Sequence, residues 1–218
     1  MGTTKPWETI DYTAARSLYL KRFETHKQLR DFLDHGNVDS YIQLALAIKN
    51  PHGNFSAYEH GLGPRILASS KPDKVFLLAG QFDACKSPKE VSGAIRKANL
   101  AYLKISVGSE MAAMLCPDRF WVANRRTIWA HLVLKHGGSV SLANEELHLY
   151  AQGDLDSEMA YKIWEEIYLE LGGNLAKLAS LGSKEALKQN IPPGDLQYLW
   201  ADAVADTLFN EFALSGWH

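Results

Sequence analysis

An all-α fold of about ten helices is predicted by three features of this 218-residue sequence. Apolar residues recur at i, i+3 and i+4 along most of the chain, the periodicity of amphipathic helices. Capping residues and stop glycines punctuate those stretches at helical intervals. Only one run, KVFLLAGQF at Lys74–Phe82, is continuously apolar enough to be a buried strand, and a sheet needs partners. Helix is therefore the expected state there, and minor strand content is left open. No repeat, low-complexity tract or linker interrupts the chain, so residues 1–218 are expected to form a single helical domain with a sizeable core.

The elements follow in order. Residues 9–35 predict two helices, with Gly36 closing the second in a left-handed cap. Asn37 or Asp39 can cap the next, YIQLALAIK, which stops before Asn50-Pro51. PHGNFSAYEHGLGP, residues 51–64, reads as a loop, and its His52 and His60 lack a third metal ligand at a recognised spacing. Ser87-Pro88-Lys89-Glu90 is a strong helix start, opening a helix over residues 87–103. Gly137-Gly138 ends a helix and SLANEELHLYAQ makes another. Asp156 caps a helix whose stripe is Met159, Ile163, Ile167 and Leu171, ended by Gly172-Gly173. Short helices over residues 174–181 and from Ser183 lead to Pro192-Pro193, and a long helix runs from about Gly194 to Leu214.

Composition excludes more than it selects. The apolar and charged fractions, 46% and 22%, are those of an ordinary globular protein. A net charge of −2 conceals +5 over residues 88–136 and −9 over residues 137–218. Cys85 and Cys116 make no disulfide framework and fit a reducing compartment. The N-terminus carries no apolar signal core, and no run approaches the 18 apolar residues of a membrane span. A cytoplasmic protein without membrane partner, metal or cofactor is expected.

The chemistry-bearing stretch is Lys104–His136, with Gly108 in an expected turn, a break at Cys116-Pro117, and the pair Arg125-Arg126 behind Asn124. A glycine turn opening a helix can present N–H groups to a phosphate. PDRFWVAN reads as an extended segment, with Asn124 capping the helix RRTIWAHLVLKH. Lys135 and His136 suit that helix's C-terminal dipole.

Val107-Gly108, Ala112, Pro117, Phe120-Trp121-Val122 and Asn124 together resemble the helix-hairpin-helix DNA glycosylases, the HhH-GPD superfamily, over about 35 residues. The resemblance implies a helical fold that binds duplex DNA. Lys104, Gly108, Ser109, Arg125 and Arg126 would contact its backbone. Asn124 falls where that family has its catalytic Asp, and Glu110 where bifunctional members have a Lys. Ser106 and Ile105 replace the first hairpin Gly and its Pro. Asn cannot act as a general base. Base excision is thus left open, with Glu110 the carboxylate at hand.

Two alternatives come from other classes. Arg126 and His131, four residues between them, resemble the Arg-x4-His pattern of metal-independent HEPN-type ribonucleases, which implies His131 as proton carrier and Arg126 as phosphate clamp on RNA. The acidic C-terminal third could instead serve a non-enzymatic module that binds a basic partner.

Overall fold

The computed structural model describes residues 4–150 and 158–213. Among these residues it holds eleven α-helices, two short 3-10 turns and no strand, so the chain is all-α. No helix among them is long and apolar enough to cross a membrane. The chain divides into two compact units, one of residues 1–20 with 125–218, the other of residues 21–124. The first carries 9 basic and 15 acidic residues, the second 14 basic and 10 acidic. The charge asymmetry of the sequence therefore follows the division into units.

Helix α1, Tyr12–Asp34, is one element rather than the expected two. No Gly or Pro lies inside it to stop it, and Tyr12, Ala15, Tyr19, Arg22 and Leu29 form one buried row. Its residues up to Leu20 belong to the first unit and the rest to the second.

The second unit is built from helices α2 (Val38–Ala45), α3 (Phe55–Glu59), α4 (Leu62–Ser69), α5 (Pro72–Ala84), α6 (Pro88–Ala98) and α7 (Ile105–Leu115). Gly36 takes φ 66 as expected, and Asn37 is the residue that caps α2, accepting from Ser40 N–H at 3.1 Å. Residues 51–64 are not a loop. Asn50 caps a 3-10 turn, Asn54 caps α3 by accepting from Ala57 N–H at 2.9 Å, and α4 starts at Leu62. Asparagine caps pack helical turns more densely than the three glycines suggest. Lys74–Phe82 lies inside α5, so the ambiguous run is helix. Ser87 caps α6, and Glu90 reaches back to Lys86 N–H at 2.8 Å. α6 stops at Ala98, short of the expected residue 103, because Asn99 turns left-handed at φ 45.

The first unit contains α8 (Arg125–Lys135), α9 (Val140–Tyr150), α10 (Glu158–Lys188) and α11 (Gln197–Phe212). Gly137 and Gly138, at φ 62 and 97, end α8 as expected. α10 runs through Gly172, Gly173 and Gly182, where three helices were expected. Its buried stripe of Tyr168, Leu171, Leu175 and Leu178 continues past the glycines, and burial outweighs the ~1 kcal/mol that each interior glycine costs. Gly182 also permits close approach of α11, since a Cβ there would lie 2.9 Å from Val204 Cγ2. α8 and α11 share the core of this unit through Trp129 and Phe209, whose rings meet edge to face at 5.6 Å. Asp156 and Leu214 lie outside the described residues, and the Met159 side chain is likewise not described.

Candidate nucleic-acid interface

Four of the second unit's cations, Arg65, Arg96, Lys97 and Lys104, lie by the connection of one helical hairpin, α6 and α7. Val91, Ser92 and Ile95 of α6 are buried, and so is nearly all of α7. The two helices approach closely because Gly108 has no side chain. A Cβ there would lie 2.5 Å from Ile95 Cδ1 and 3.3 Å from Leu103 Cδ2. Gly108 is therefore a packing residue inside α7, not the expected turn, and its N–H donates to Lys104 C=O at 2.8 Å. A Gly108→Val substitution should overpack this contact and cost about 1–3 kcal/mol in urea unfolding, whereas Gly80→Ala, inside α5 with nothing within 4 Å, should stabilise by about 0.5–1 kcal/mol.

The connection between the helices is set by two leucines. Leu100 and Leu103 are buried, and Leu103 N–H donates to Leu100 C=O at 3.3 Å. Ala101 and Tyr102 between them are turned outward, and Tyr102 takes φ 62. Arg96 and Lys97 in the last turn of α6 are exposed, as is Lys104, the residue before α7. Arg65, on α4, stacks its guanidinium 4.1 Å from the centre of the Tyr102 ring. α7 starts without a side-chain cap, and a lysine stands at that position. A cation at a helix N-terminus opposes the helix dipole.

Glu110, on the buried side of α7, is spent on structure. Its side chain is fully buried against Arg22, with Arg22 Nη1 2.6 Å from Oε1. Phe55 N–H also donates to Oε1 at 2.8 Å, while Ser56 N–H and hydroxyl donate to Oε2 at 3.1 and 2.9 Å. The same Arg22 group donates to His52 C=O at 3.1 Å. The carboxylate thus holds the N-terminus of α3, where backbone N–H groups favour an anion. Ser109 is also buried, its hydroxyl donating to Ser106 C=O and accepting from Ala123 N–H at 2.9 Å. It ties the extended Phe120–Ala123 segment, buried along its whole length, to α7. Asn124 is buried just before α8.

In the first unit, Arg125 and Arg126 open α8 and are partly exposed. Arg126 Nη1 lies 2.6 Å from Asp206 on α11. His131 lies instead against α10, its Nδ1 3.2 Å from Asn174 Nδ2. The helix thus directs the ribonuclease-like pair toward two different partners. Burial, reinforced by Lys135, lowers the His131 pKa. Nearby, burial opposes ionisation of Glu146, but hydrogen bonds from Lys135, Tyr150 and His136 outweigh it and hold its pKa at about 2.

His26 and His52 of the second unit are also lowered, chiefly by burial. In the unfolded chain such histidines take up a proton near pH 6.5, whereas the folded forms resist it. Stability should therefore fall as pH drops below about 6.5, with exposed His35, raised by Asp31, acting weakly the other way. Urea midpoints at about pH 7.5 and 5.5 check this, and His26→Asn together with His131→Asn should flatten the dependence.

Lys104, expected at the end of a helix over residues 87–103, is instead the exposed residue before α7, and Arg65, Tyr102 and Arg22 were not among the expected site residues. Arg22 sits in a stretch read only as helix, and Tyr102 in one read as helix up to residue 103. The charge excess over residues 88–136 and the resemblance carried by Val107-Gly108 both pointed to this part of the chain. Comparison of the chain with protein-family models, curated proteins and solved structures gave no match.

Proposed function

We propose that the chain is a nucleic-acid-binding protein of the helix-hairpin-helix glycosylase kind, and that the α6–α7 hairpin holds the backbone of duplex DNA. The observation that carries this reading is the gathering of exposed Arg96, Lys97 and Lys104 around the six-residue connection between two helices. A phosphate there would meet three cations, and it would relieve the unfavourable placement of Lys104 at the uncapped start of α7. The second unit's basic balance supports the same partner, because phosphate contacts supply most of the affinity for nucleic acid. Gly108 and Ser109 serve that hairpin from inside, through helix packing and through the tie to Ala123.

Base excision is a separate matter. Asn124 cannot carry a proton, and Glu110 is enclosed by Arg22, Phe55 and Ser56. We therefore assign these residues to binding and architecture, not to proton transfer. Fluorescence anisotropy with a labelled duplex tests the reading. Three phosphate contacts predict a log–log salt slope on the order of −3. Absence of binding at about 50 mM salt would rule the reading out.

A further inference from the structure

We propose that Tyr102 and Arg65 form a stacking platform for an unpaired base, on a DNA strand whose phosphates lie against Arg96, Lys97 and Lys104. This rests on the nucleic-acid reading above and names the feature that the same surface would select. Tyr102 is 39% exposed, so its place in the hairpin is not explained by burial. Its backbone sits at φ 62, a region that a bulky residue enters only when its surroundings force it. Leu100 and Leu103, on either side of it in the chain, are both buried.

The ring is also held from outside. Arg65 reaches from α4 to lie 4.1 Å over it, which joins a planar cation to an aromatic surface. Bases without a stacking neighbour settle on aromatic rings and guanidinium planes, largely without regard to sequence. Exposed cations on both sides of the connection would hold the strand while the base leaves its stack. An intact duplex offers the phosphates but no free base face, so the surface should prefer DNA with a bulged or unpaired nucleotide.

The test uses the full chain and a duplex with a single-nucleotide bulge of 2-aminopurine, beside the same duplex fully paired, at fixed salt. The wild type should bind the bulged duplex about 10-fold tighter and quench its fluorescence. Tyr102→Gly suits the left-handed backbone and should fold normally. It should lose both the preference and the quench while keeping its salt slope, and Tyr102→Phe should restore them. Arg65→Ala should weaken both. A Tyr102→Gly protein that keeps preference and quench would overturn the platform and leave the nucleic-acid reading standing. Absence of binding to either duplex, including the case where the chain binds only anionic vesicles, would overturn both.

Discussion

Replacing Glu110 with glutamine is expected to destabilise the second unit by about 3–5 kcal/mol, the usual cost of removing one partner from a buried ion pair. The substitution keeps the shape but leaves the Arg22 guanidinium buried without its counter-charge. It also turns a carboxylate that accepts from Phe55 and Ser56 into an amide with a single acceptor. Urea unfolding measures the total loss. Hydrogen exchange locates it, with residues 50–57 losing protection first because that segment is what the carboxylate holds. Arg22→Met combined with Glu110→Met should recover part of the loss, since a paired apolar replacement leaves no buried charge. A glutamine variant within about 1 kcal/mol of the wild type would show that the pair is not what fixes α3 to α7.

Reversing the three hairpin charges, Arg96→Glu with Lys97→Glu and Lys104→Glu, is expected to weaken duplex binding on the order of 100-fold at low salt and to flatten the salt slope by about three. All three side chains are exposed, and a urea midpoint checks that the variant remains folded before its binding is read. Lys71→Glu with Lys74→Glu, exposed at the start of α5, is the control for general repulsion, and it should cost far less affinity. Equal losses from both sets would mean that overall charge, not the hairpin, governs binding.

The helices were legible wherever a local signal decides. Gly36, Ser87 and Gly137 do what their residue types suggest, and Asn37 resolves the choice of cap with Asp39. The failures share one cause: a glycine or a cation has several uses, and neighbours far along the chain choose among them. Gly108 and Gly182 read as breaks but serve helix contacts with Ile95 and Val204. The glycines of residues 51–64 suggested a loop, while Asn50 and Asn54 were closing turns. Glu110 was legible as a carboxylate near the hairpin, but its burial depends on Arg22, 88 residues away. Tyr102 gave no signal, because a left-handed tyrosine between two buried leucines has no local sequence mark.

The most direct measurement compares three labelled ligands at one low salt concentration: a duplex with an abasic-site analogue, the same duplex undamaged, and single-stranded RNA of equal length. A DNA-binding hairpin with a stacking residue predicts the lesion duplex ahead of the intact duplex, with affinity for both lost on charge reversal at Arg96, Lys97 and Lys104. RNA bound most tightly, and weakened by His131→Ala, would favour the ribonuclease-like pair instead. Absence of binding to all three would contradict nucleic-acid recognition itself.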